Sequence, residues 1–113
     1  MPPFMLTFKN FDYNIHNCLV DSGASMNVIP LFVAKKINAK WDKIDAQIIQ
    51  LDKSLVQAIG ERKNVVIWLS SDYRVHQCIN IVIVDIPEAY GILLSRDWSN
   101  KLQWYFATYL SHL

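Results

Sequence analysis

Glycine is scarce, at three residues in 113, and no glycine-rich run is present to cradle a phosphate, which removes the common nucleotide-binding loops. An excess of charge of one sign is missing too. Eleven Lys and Arg offset ten Asp and Glu to a net charge of +1, and no basic run is longer than Lys35-Lys36. A nucleic-acid partner therefore has no electrostatic footprint. Cysteine occurs twice, as Cys18 and Cys78, without a CxxC pattern or the density of a secreted scaffold. Both read as reduced, packed thiols, with a bond between them as the alternative. The start, Met1-Pro2-Pro3-Phe4, lacks a basic segment leading into an apolar run, so no signal peptide is expected. The longest apolar stretch, Ile79 to Ile86, contains Asn80 and Asp85 and is far too short to span a bilayer. These absences point to a soluble, cytoplasmic protein with no membrane partner.

Apolar residues make up 52% of the chain, and four Trp, five Tyr and five Phe are a heavy aromatic load for its length. They suit a small core or a dimer interface. The chain is expected to be one domain, residues 1–113. Phe4, Leu6 and Phe8 alternate as a half-buried strand, a turn follows at Asn10-Phe11-Asp12, and Tyr13 to Val20 reads as a second strand. Pro30 sits where helices start, and Leu31 to Ile37 gives two helical turns ending in Lys35 and Lys36. Ala46 to Leu51 and Leu55 to Ile59 read as a hairpin with Asp52-Lys53-Ser54 at its tip. Gly60 to Asn64 is expected to turn. Val65 to Leu69 reads as a buried strand, and Tyr73 to Ile86 as a long one with Tyr73, Val75, Ile79, Ile81 and Ile83 on one face. Ile92-Leu93-Leu94 is a short strand, Ser95 an N-cap for a helix from Arg96 to Leu102, and Trp104 to Leu110 a last strand.

The stretch that organises the rest is Leu19-Val20-Asp21-Ser22-Gly23-Ala24-Ser25. An apolar strand delivers a carboxylate into a tight turn of small residues, and Val28-Ile29 follows at once. An Asp-Ser/Thr-Gly triplet alone arises by chance in roughly one such chain in twenty, and the plain meaning of Asp21 is an Asx-type turn. Gly23 is able to take a backbone conformation closed to other residues. A second motif, Ile92-Leu93-Leu94-Ser95-Arg96-Asp97-Trp98, changes the balance. Two rival sites carry less. His16-x-Cys18 and His76-x-Cys78 place four ligands on two strands, but the spacing is not that of zinc modules, so no metal is expected. The serines lack a His–Asp arrangement for nucleophilic catalysis.

Together the two motifs resemble the retropepsins, the aspartic proteases of retroviruses and LTR retrotransposons, and above all the protease segment of plant gypsy-type retrotransposon polyproteins. Asn17-Cys18-Leu19-Val20-Asp21-Ser22-Gly23-Ala24-Ser25 fits the first family motif, and Leu93-Leu94-Ser95-Arg96-Asp97-Trp98 the second. The resemblance covers nearly the whole chain. It implies a mainly β, retropepsin-like fold: a closed or partly open barrel-like sheet with a flap hairpin and one or two short helices. It implies a peptidase whose catalytic Asp21 is half a site, completed by a second copy of the chain, with no cofactor. Ser22 then locks the two active loops together, and Gly23 lets an extended peptide or polyprotein substrate lie close. Leu51, Asp52, Lys53 and Ser54 form the flap, and Ala24, Ile92 and Leu93 line the cleft. Ser95, Arg96, Asp97 and Trp98 support the active loop from below. The flap tip has no glycine, Ser95 stands where the family commonly has glycine, and Ser25-Met26-Asn27 lacks the acidic partner that Arg96 has in retroviral members. The alternative is a retropepsin-like module without catalysis, kept for dimerisation or peptide binding.

Overall fold

Alternation makes β1 (Phe4–Phe8), and the computed structural model buries Leu6 and Phe8 completely while Met5 faces out. The structure describes residues 4–51, 54–87 and 90–110. After β1 come β2 (Tyr13–Val20), β3 (Asn27–Pro30), α1 (Leu31–Lys36), β4 (Asp42–Leu51), β5 (Ser54–Leu69), β6 (Asp72–Val84), β7 (Leu93–Leu94) and α2 (Arg96–Tyr105). A π-helical turn, Phe106–Leu110, continues α2. The strands lie in the order β1-β2-β7-β3-β6-β5-β4, and a second pairing of β1 with β5 closes the first six into a barrel. Closure satisfies the edges of those six. β4 stays outside the ring as the outer arm of a hairpin with β5. β7 runs parallel to β2 and antiparallel to β3, and β3 runs parallel to β6.

Asn and Asp take the backbone positions that a richer glycine content would fill. Asp12, Asn17, Asn38 and Asn64 hold φ between 55° and 58°, whereas no described glycine has a positive φ. Short polar side chains tolerate this left-handed region best after glycine. Asn38 ends α1 in this way, with its N–H on Lys35 O and that of Ala39 on Ala34 O. Asn17 has the larger consequence. It sits where the β1–β2 register slips, between the Leu6–Ile15 and Phe4–Cys18 pairs. This bulge rephases β2, so burial passes from Ile15 to Cys18 and Val20.

Three expectations are corrected. Gly60 to Asn64 does not turn: β5 runs straight through it, with register slips between Ala58 and Gly60 and between Arg62 and Val65 absorbing the irregularity. Gly60 is required there by close approach, because a Cβ would collide with the Trp41 ring. Trp104 to Leu110 is not a strand. Trp98, Leu102 and Tyr105 recur at helical spacing and are all buried, so α2 runs past Leu102 and the chain stays helical. Tyr73 shares the register of Val75 but lies beyond the core, exposed and edge-on to Trp68.

Two apolar clusters result. The principal one fills the barrel beneath α2 and includes Leu6, Phe8, Ile67, Ile81, Leu94 and Trp98. The second is smaller, with Val28, Ile49, Ala58, Val82, Val84 and Ile86 packed below the β4–β5 hairpin. Among the described residues no helix is long and apolar enough to cross a membrane.

Candidate active site

β2 ends at Val20, and Asp21 begins the loop that β7 holds in place. The Leu19 N–H donates to Ile92 O at 2.8 Å and the Asp21 N–H to Leu94 O at 2.9 Å. Oδ1 of Asp21 accepts the Gly23 N–H at 2.9 Å, and the Asp21 carbonyl accepts the Ala24 N–H at 3.1 Å. The Asx turn expected as the plain meaning of Asp21 is therefore present, and it aims the carboxylate outward: Asp21 is exposed. Gly23 does not use the left-handed conformation open to it. A Cβ there would stand 3.4 Å from Asp21 Oδ1, an ordinary contact.

The second motif grips this loop from below. The Arg96 N–H donates to Ala24 O at 3.0 Å, and Arg96 Nε donates to Ser22 O at 3.2 Å. Among the described residues Arg96 thus finds its partners in backbone carbonyls of the loop, not in an acid. Ser95 occupies the N-cap position of α2, yet its hydroxyl makes no capping bond. Its own N–H goes to Asn27 Oδ1 at 2.9 Å, while Asn27 Nδ2 donates to Asn80 O at 3.0 Å. Asn27 so ties β3, β6 and the start of α2 together. Trp98 is fully buried beneath them, and Asp97 is exposed in the first turn of the helix.

A cavity of about 390 Å³ opens over Asp21, lined by Asp21, Gly23, Ala24, Ser25, Met26, Gln50, Leu51 and Leu93. The hairpin reaches the loop through Gln50 and Leu51. Asp52 and Lys53 lie outside the described residues, and Ser54 begins β5. Leu93 is on the cavity wall, whereas Ile92 is fully buried in the principal core and is not part of that wall. Ser22 is exposed and joins the site through its carbonyl. Asn27, Met26 and Gln50 were not singled out in the sequence. Neither Gln50 nor Asn27 leaves a local signal: alternation along β4 groups Gln50 with the exposed Ile48, and Asn27 acts through strands distant in sequence. A larger cavity, about 590 Å³, is lined by Phe4, Met5, Leu69, Tyr105 and Phe106 among others and shares no residue with the first. Among the described residues it holds no carboxylate.

The thiol nearest Asp21 is inert. Cys18 is buried, its Sγ donates to Ile15 O at 3.4 Å, and burial pushes its pKa up to about 12. Cys78 is a free thiol too, but exposed, not packed as expected. β7 and β3 separate β2 from β6 in the sheet, so the two His-x-Cys pairs are not cross-strand neighbours. Among the described residues no group of three His, Cys, Asp or Glu is placed to hold a metal ion.

No protein-family model and no curated protein matches the sequence. Solved structures match its shape. EIAV protease, in complex with the inhibitor HBY-793, is 18% identical and aligns with a TM-score of 0.63 over 90% of this chain and 88% of that one. The retroviral protease-like domain of Ddi1 from Leishmania major is 13% identical, with a TM-score of 0.65 over 91% of this chain and 78% of that one. At these identities the likeness establishes the fold, a mainly β retropepsin-like barrel with two short helices. What the fold does here rests on its residues.

Proposed function

We propose that the chain is one half of a homodimeric aspartic endopeptidase, of the kind carried in plant gypsy-type retrotransposon polyproteins, which cuts its own polyprotein in the cytoplasm between apolar residues. The observation that carries the reading is Asp21 itself: a carboxylate held by a short turn, exposed at the floor of a cavity that a hairpin overhangs. Among the eight aspartates of the sequence, Asp21 alone precedes Ser/Thr-Gly. One chain supplies one such carboxylate, and a two-fold axis supplies the other. Facing each other, the two Asp21 side chains share one proton. The ionised member takes a proton from a water as that water attacks the scissile carbonyl, and the protonated member donates to the carbonyl oxygen. The pair titrates as a unit. Apolar residues on the wall, Leu51, Leu93 and Met26, fit apolar substrate side chains, and Gln50 offers a polar contact to an extended backbone.

The test combines cleavage of a blocked apolar peptide at mildly acidic pH with the mass of the protein in solution. Asp21→Asn is expected to slow cleavage at least about a hundredfold while leaving the dimer mass and the thermal midpoint in place. A hydroxyl-isostere peptide is expected to inhibit the wild type. Equal rates for wild type and Asp21→Asn sink the proposal and leave a peptide-binding module.

A further inference from the structure

A second recess, of about 400 Å³, adjoins the Asp21 cavity through a common wall of Ser25 and Met26. Its charged lining is acidic throughout. Glu61 from β5 and Asp97 from α2 bring two carboxylates. Gln77 Oε1 is buried without a hydrogen-bond partner among the described residues. Ser95, only 4% exposed, lines the same recess with a hydroxyl that makes no capping bond.

Two donors of the lining are already engaged. Asn27 Nδ2 is on Asn80 O, and the Asn64 N–H is on Asn80 Oδ1. Of the closest cations along the chain, Arg96 Nε holds Ser22 O, the Arg62 guanidinium lies over the Phe11 ring at 5.9 Å, and Lys63 is exposed with no ion pair to Glu61 among the described residues. A buried acceptor left unpaired is costly, and two carboxylates beside it favour a cation rich in donors. A guanidinium has five N–H donors and no acceptor, and it sheds water more readily than an ammonium.

The geometry points to an outer subsite that takes a cationic side chain, Arg in preference to Lys, from a substrate residue flanking those held at Asp21. The inference rests on the peptidase reading, because the common wall is what brings a peptide seated over Asp21 past Glu61 and Asp97. It adds a charge requirement to a cleft whose other walls are apolar.

The experiment scans Arg, its neutral isostere citrulline, and Glu through each flanking position of a cleaved apolar peptide. At one position Arg is expected to raise kcat/KM about tenfold over citrulline, and Glu to lower it. Glu61→Gln combined with Asp97→Asn is expected to bring the Arg-to-citrulline ratio close to one. A ratio near one at every position in the wild type, or a ratio that survives the double variant, overturns the subsite.

A second readout does not need catalysis. Cys78 is exposed on the wall of the recess, and Cys18 is buried, so iodoacetamide reports on Cys78. The Arg peptide is expected to slow that alkylation more than the citrulline peptide, in Asp21→Asn as in the wild type. If no peptide is cut, the peptidase reading fails, and Cys78 still decides the recess. Protection by Arg upholds it, and equal alkylation with both peptides overturns it.

Discussion

Beneath α2 the barrel is packed shut, and beneath the β4–β5 hairpin it is not. In the first region Leu6, Phe8, Ile67, Leu94 and Trp98 are all fully buried, and strands from both ends of the chain meet around them. In the second, Ile49 and Val56 face each other across the hairpin over Val28 and Val82, with Met26, Leu51 and Leu93 only partly covered. The outer face of the same hairpin leaves Ile48 65% and Leu55 74% exposed. β4 has one neighbouring strand where the strands of the ring have two. The contrast separates two duties. The closed region fixes the floor on which Asp21 stands, and the open one sets how the space above it is entered. Local opening is expected where buried contacts are fewest, which is the hairpin.

The contrast can be broken most severely at Trp98. Trp98→Ala is expected to cost about 3–5 kcal/mol, read as a fall in the urea midpoint. Trp98→Phe should cost much less, because Nε1 is buried without a partner among the described residues and its loss breaks no hydrogen bond to them. A cost for Trp98→Ala below that of a hairpin variant would reverse the ranking of the two regions. Next comes Ile49→Ala, expected to cost about 2 kcal/mol, at the low end for its class, since β4 has somewhere to relax. Hydrogen exchange should then quicken in β4 amides and stay slow in β1 and β6. Uniform quickening would mean that the hairpin is welded to the barrel. The smallest effect is expected at Asn27, the link between the regions. Asn27→Ala removes the acceptor of the Ser95 N–H and should cost about 1–2 kcal/mol. Asn27→Asp keeps that acceptor, and should recover part of the loss.

Much of this was legible from periodicity. The alternation in Phe4, Leu6 and Phe8, the Pro30 that opens α1, and the Trp98–Leu102 spacing each encode their own element locally. The failures share a cause, which is that the deciding partner is remote. Polar residues from Glu61 to Asn64 look like a turn until β6 pairs with them, and Asn80 takes the Asn64 N–H. Trp104 to Leu110 has no apolar alternation or period strong enough to choose between helix and strand, and burial of Tyr105 against the barrel decides it. At the candidate site, the local turn around Asp21 follows from Asp-Ser-Gly. The Asn27 bridge and the approach of Gln50 do not, because sheet order creates them.

The place of β7 has a further consequence, in time. Two residues, Leu93 and Leu94, lie between β2 and β3 and supply the carbonyl that fixes the Asp21 N–H. A ribosome delivers Asp21 long before it delivers Leu94, and contacts so distant in sequence form late. During synthesis the carboxylate therefore travels on a strand that has β1 beside it but not yet β7. Only when the last quarter of the chain has emerged can the loop set, so the layout carries its own delay.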